Sequence, residues 1–241
     1  MSGMHTSRHN AALSLCVEAL SKGRYGSSLI SMDGCNHDRL LDQGIQVPEN
    51  ISRAIPDWVF PNGTASPARH QSRPDALFVR PIPGRQAHLD PTKISPQDRD
   101  IHLVEHKFCP DTNPGITLER AQTQHSHIIT RLKTRSLRNP NRNNKVTLHI
   151  ILIGVGGTIY NDYTITPLIN LGLTKERAKL LASQLRDHAI QRLSTIINTR
   201  HALCFQGASG RGFAGRTEAA EDGRRRVRAL RGMASNPPDP H

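Results

Sequence analysis

The sequence reads as an α/β protein with a mixed central sheet flanked by helices, and three patterns support that class. Residues 145–155, Lys-Val-Thr-Leu-His-Ile-Ile-Leu-Ile-Gly-Val, form the short apolar run that a strand buried on both faces requires. Two further strand-like runs, 76–82 and 101–108, enclose a loop rich in proline and charge and predict an antiparallel hairpin. Helical patterns precede, separate and follow these runs, so the order is helix, hairpin, helix, buried strand, helix.

The first helix is predicted over 10–22, with apolar residues at 12, 13, 16, 17 and 20 on one face, Asn10 as N-cap and Gly23 as stop. Residues 27–32 read as a short strand and 38–42 as a helical turn. Residues 48–72 read as an irregular connection broken by Pro48, Pro56, Pro61, Gly63 and Pro67, with Trp58 and Phe60 as anchors. Pro110 and Pro114-Gly115 end the second hairpin strand. Thr117 then caps a helix over 118–135, whose early Glu119 and late Arg131, Lys133 and Arg135 suit the helix dipole. Residues 136–144 form an Arg/Asn-rich, exposed linker. A short helix is expected over 164–171, and Thr174 caps a helix running to about Thr199. One domain is expected over 1–206, followed by a disordered basic Gly/Arg/Pro-rich tail over 207–241.

The net charge of +12 and pI near 10.3 point to a polyanionic partner, nucleic acid above all. No apolar run approaches the roughly 18–20 residues that span a bilayer, and residues 1–10 lack a signal-peptide core, so no membrane partner is expected. Cys16, Cys35, Cys109 and Cys204 lie far apart without Cys-x-x-Cys spacing. That argues against a zinc site or a disulfide framework and for a reducing compartment, nuclear or cytoplasmic.

The chemistry concentrates in two short segments. Arg73-Pro74-Asp75 precedes the first hairpin strand, and Glu105-His106-Lys107 lies inside the second. Side chains alternate along a strand, so Glu105 and Lys107 share a face with Ile101 and Leu103 while His106 points away. Charges on an apolar face are costly unless paired or bound to a cation. Asp75 beside Glu105 supplies a second carboxylate. Two such acids hold Mg²⁺, with Mn²⁺ as the alternative ion, and the backbone carbonyl of His106 offers one more oxygen. Lys107 is placed to stabilise developing negative charge or to orient a water. The bland alternative makes Asp75 a turn cap and pairs Glu105 with Lys107 or Arg80 on an exposed edge.

Pro74-Asp75, followed after 29 residues by Glu105-x-Lys107 in an apolar strand, resembles the PD-(D/E)xK restriction-like nuclease superfamily. The wider text, with Arg73 to Ala76, Ile101 to Asp111, Ala121-Gln122-Thr123-Gln124-His125 and Leu148 to Tyr160, resembles the restriction-like endonuclease segment of non-LTR retrotransposon polyproteins. The resemblance covers roughly residues 8–204. It implies an αβββαβ core and Mg²⁺-dependent DNA cleavage, with Asp75, Glu105 and Lys107 catalytic and Asp75, Glu105 and His106 around the metal. Gln124 corresponds to a glutamine that reaches the site in related nucleases, with Gln122 as its competitor. The family's domain follows a reverse transcriptase, so the chain is expected to be a detached piece whose partners include that domain, and a homodimer for double-strand cutting. The rival reading keeps the fold as an inactive nucleic-acid-binding module. A third acid from Glu18, Asp33 or Asp38 is left open. His102, His125 and His127 read as packed or solvated histidines, Gly154-Val155-Gly156-Gly157 as a strand-end turn, and Arg131 to Arg142 as a DNA-backbone patch or a solvated helix end. Arg224-Arg225-Arg226-Val227-Arg228 reads as a nuclear-import or nucleic-acid tail, or as a reading-frame extension.

Overall fold

A computed structural model describes residues 2–32, 51, 52, 54–60, 73–82, 90–93, 99–137 and 145–209. The chain divides into two compact units, Met1–Leu193 and Ser194–His241. The described part of the second is the end of a helix, with Thr199 Oγ1 donating to Thr195 O at 2.8 Å. The first unit holds everything that follows: helix α1 (Ser2–Ser21), strands β1 (Leu29–Met32), β2 (Ala76–Pro81) and β3 (Arg99–Cys109), helix α2 (Pro114–Leu137), strand β4 (Val146–Gly154), helix α3 (Thr166–Asn170) and the start of helix α4 (Lys175–Ser209).

The strands form one four-stranded sheet in the order β1-β2-β3-β4. The first three pair antiparallel, and β4 runs parallel to β3. A parallel neighbour requires a crossover, which α2 supplies. The expected hairpin is present, and each strand alternates between two cores. Ala76, Phe78, Val104, Ile151 and Ile153 face Leu13, Cys16, Val17 and Leu20 of α1 together with Leu168 of α3 and Leu181 of α4. Leu77, Val79, Ile101 and Leu103 face Ile128 and Leu132 of α2 and the anchors Trp58 and Phe60. Farther along the same face, Ile150, Leu152 and Cys109 meet Ala121. Trp58 Nε1 also donates to Pro91 O at 2.8 Å.

Several boundaries move. Helix α1 begins at Ser2, so Asn10 is a helix-interior residue whose carbonyl accepts from Ser14 Oγ at 2.8 Å. The polar residues before it belong to the helix through tertiary contacts of Arg8 and His9 with β3 and β2 rather than through an apolar stripe. Helix α2 begins at Pro114, not after Thr117. Proline fits a first turn because its missing N–H has no helical acceptor there. Helix α4 continues past Thr199 to Ser209, through helix formers uninterrupted until Gly207. Its predicted cap holds, with Arg177 N donating to Thr174 Oγ1 at 3.3 Å. The predicted helix over 164–171 is a π-turn (Asn161–Ile165) leading into α3. Gly154 to Gly157 is a turn, with Gly157 at φ 96° and the Asp111 carboxylate accepting from Gly156 N and Thr158 N. The expected turn at 38–42, most of the 136–144 linker and residues 210–241 lie outside the described residues.

Candidate active site

The site forms where β2 runs out. Ala76 pairs with Val104 in the last rung of the β2–β3 ladder, so Asp75 lies just beyond the end of that ladder. The Asp75 N–H still donates to Val104 O at 2.9 Å. Beyond that point, among the described residues, β3 continues against β4 alone, through Cys109. The His106 N–H is therefore turned toward an edge that no described strand covers, and Asp75 Oδ2 accepts from it at 2.7 Å. A strand residue directs its N–H and C=O to the same neighbour, so the His106 carbonyl faces that edge too.

Asp75 has a second partner. Helix α1 presents His9, whose Nε2 donates to Asp75 Oδ1 at 3.2 Å. Burial favours the neutral carboxyl, but the hydrogen bond and charge of His9, the His106 N–H and the charge of Lys107 outweigh it and hold the Asp75 pKa below the usual range. Burial likewise opposes the charged form of His9. The bond to Asp75 and the fields of Asp75 and Glu105 prevail and raise its pKa. The two shifts describe one interaction, a largely ionic pair at the rim with side chains 27% and 16% exposed.

Glu105 lies deeper, at 1% exposure. Oε1 pairs with Lys107 Nζ, and Oε2 lies 2.9 Å from His125 Nε2 of α2, whose side chain is fully enclosed. Among the described residues, neither that oxygen nor the ring nitrogens of His125 have an aligned hydrogen-bond partner. Lys107 itself is about one-third exposed, with its side chain 32% accessible, so the ammonium links the buried carboxylate to solvent.

The structure pairs Lys107 with Glu105, keeps Glu105 on the buried face of Ile101 and Leu103, and places Asp75 at the end of the β2–β3 ladder, where it accepts from the His106 N–H. The bland pairing is half right: Glu105 does pair with Lys107, but inside the protein. Arg80 instead donates from Nε to His102 Nε2 at 2.7 Å. His106 contributes only backbone to the edge, because its ring is buried on the opposite face between His9 and Phe108. Burial pushes the His106 imidazole down to about 3, so it is neutral. Gln124 is half-buried on α2, beside the residue of that helix that touches Glu105, and Gln122 is exposed. Of the three acids proposed as an addition, Glu18 pairs with Lys22 at 2.9 Å on the surface, and Asp33 and Asp38 lie outside the described residues.

Two contacts were not anticipated, His9 on Asp75 and His125 on Glu105. The signal for His125 is present in the sequence: Ala121, His125, Ile128 and Leu132 fall at i, i+4, i+7 and i+11, the buried stripe of α2. His9 continues the α1 stripe through Ala12, Cys16 and Leu20 one turn further back.

No protein-family model, no curated protein and no solved structure matches the chain.

The donor chemistry suits a hard divalent ion. Asp75, just before β2, and Glu105 on β3 both offer carboxylate oxygens. Mg²⁺ is held by one or two carboxylates and keeps several waters. Among the described residues no three His, Cys, Asp or Glu side chains converge as a metal cage. Asp75 and Glu105, with the His106 carbonyl, are the groups that would hold the ion.

Proposed function

We propose that this chain is a Mg²⁺-dependent DNA endonuclease of the PD-(D/E)xK type, with Mn²⁺ as a substitute ion. One observation carries the reading: at the end of the β2–β3 ladder Asp75 accepts from the N–H of His106, the residue between Glu105 and its paired Lys107 in β3. The αβββαβ order of elements, with three antiparallel strands and a parallel fourth reached through α2, supports the same core. The +12 charge suits a nucleic-acid substrate.

When bound, the divalent ion supplies Lewis-acid activation of a water and neutralises charge on the phosphate. The rest falls to the chain. Asp75 is held ionised by His9 and the His106 N–H, which keeps it a competent oxygen ligand above the acid range. Glu105 is buried, where electrostatic interactions are stronger than in water. Lys107 has the reach and exposure to turn its ammonium from Glu105 toward a phosphoryl oxygen. With a single such constellation among the described residues, a double-strand cut requires two copies or two events. Descent from a retrotransposon polyprotein, with a reverse transcriptase as partner, belongs to the same reading.

The test is supercoiled plasmid incubated with the protein in Mg²⁺, Mn²⁺ or EDTA. Nicking is expected with either ion and not with EDTA, and Asp75→Ala and Glu105→Ala are expected to abolish it. Cleavage by either variant at the parent's rate overturns the assignment. The second reading, a DNA-binding module without catalysis, draws on Glu105 being already occupied by Lys107 and His125. It predicts salt-sensitive DNA binding and no metal-dependent nicking by the parent.

A further inference from the structure

We propose that His125 is a positioning residue that sets the orientation of the Glu105 carboxylate while Lys107 is free to leave it, an inference that rests on the nuclease reading above. Glu105 has two side-chain neighbours of opposite character. Lys107 ends a flexible four-carbon stem, and its side chain is 32% exposed. His125 is a short, rigid ring with no exposed surface, held in the stripe that buries Ala121, Ile128 and Leu132 against the sheet. Its Nε2 lies 2.9 Å from Glu105 Oε2, while Lys107 pairs with Oε1.

The two contacts divide the work. An ammonium that stabilises charge on phosphorus must turn away from Glu105. A buried carboxylate that then lost its only partner would bear an uncompensated charge, which is costly and disfavours the ionised form. His125 comes from a different element, and no movement of Lys107 disturbs its backbone. It keeps one oxygen of Glu105 facing α2 and leaves the other on the side of Lys107. An apolar residue would fill the stripe of α2 at least as well, so packing alone gives no reason for an imidazole there. Enclosing a polar ring without an aligned hydrogen bond carries a cost that the Glu105 contact explains.

The experiment compares the parent with His125→Leu and His125→Gln, each first shown to be folded by circular dichroism and thermal melting. Mn²⁺ binding is read from the loss of the free-ion electron paramagnetic resonance signal, and plasmid nicking gives kcat and KM. Residues that orient a metal's ligands typically contribute about 10–100-fold to its affinity. His125→Leu is therefore expected to weaken Mn²⁺ binding by roughly tenfold or more and to lower kcat with KM for DNA unchanged. Glutamine can donate to the same oxygen and is expected to restore most of both. Parent-like Mn²⁺ affinity in a folded His125→Leu overturns the inference and leaves the nuclease reading intact. If the parent binds no Mn²⁺, the nuclease reading falls and takes the inference with it. Should His125→Leu fail to fold, the ring ¹⁵N spectrum of the parent is compared with that of Glu105→Gln. An unmoved His125 Nε2 signal there overturns the contact on which the role depends.

Discussion

The two halves of β3 are built on opposite terms. From Ile101 to Val104 the strand is paired on both edges, and its apolar side chains pack into both layers. From Glu105 to Cys109 its only strand partner among the described residues is β4, and His9 of α1, His125 of α2 and Asp75, which precedes β2, make polar contacts there. The closed half is held by area removed from water, which is non-directional and tolerant of detail. The open half is held by a few directed contacts to charge, each of which fails singly. A strand that outruns its neighbour exposes backbone groups beside a buried core, and that is where a carboxylate can be both held and reachable.

The largest expected effect falls on the closed half. Leu103→Ala removes a fully buried side chain and is expected to cost about 2–5 kcal/mol in urea unfolding. A cost below 1 kcal/mol would mean that the two-sided burial of this half has been misjudged. In the open half, Lys107→Met is expected to lower nicking about a hundredfold, equivalent to about 2.7 kcal/mol of barrier, while DNA affinity stays near the parent's. An equal loss in affinity would make Lys107 a docking residue instead.

Asp75→Ala is expected to leave the His106 N–H without its acceptor and to destabilise the fold by about 1–3 kcal/mol, short of unfolding it. Asp75→Asn keeps an acceptor oxygen and is expected to recover part of that stability but none of the cleavage. Full recovery of both would remove the need for a charge at this position.

A smaller effect distinguishes the halves by pH. His102 and His149 lie near the start of β3 and in β4, with His102 Nδ1 and His149 Nε2 2.9 Å apart, and Arg80 donates to His102. Burial first, then the positive field of Arg80, pushes their pKa values down to about 3 and about 4, from the usual 6.5. The unfolded chain thus takes up protons that the folded chain refuses. Stability is complete above about pH 6.5 and declines as pH falls toward 4. His149→Gln is expected to flatten that decline in urea midpoints measured between pH 7 and pH 4.5, whereas a variant as acid-sensitive as the parent would assign the loss to other groups. The smallest effect is expected at Lys22→Ala. It removes an exposed i, i+4 pair with Glu18 and should change stability by at most about 0.5 kcal/mol.

Much of this was legible in the residues themselves. The apolar runs 76–82, 101–108 and that of β4 located three strands, because a buried strand shows as a short apolar run between turn signals. The alternation of side chains along a strand put Glu105 and Lys107 on one face. Helix ends were less readable. Pro114 opens α2 and Ser2 opens α1 because tertiary contacts and first-turn tolerance override cap preferences.

The partners of the carboxylates depended on packing alone. His9 lies 66 residues before Asp75, and His125 comes from a helix after β3. Periodicity marks each of them as facing inward but does not say what it meets there. That meeting is set by the rotation and height of α1 and α2 over the sheet, which result from how many apolar side chains, far apart along the chain, fill one interior together.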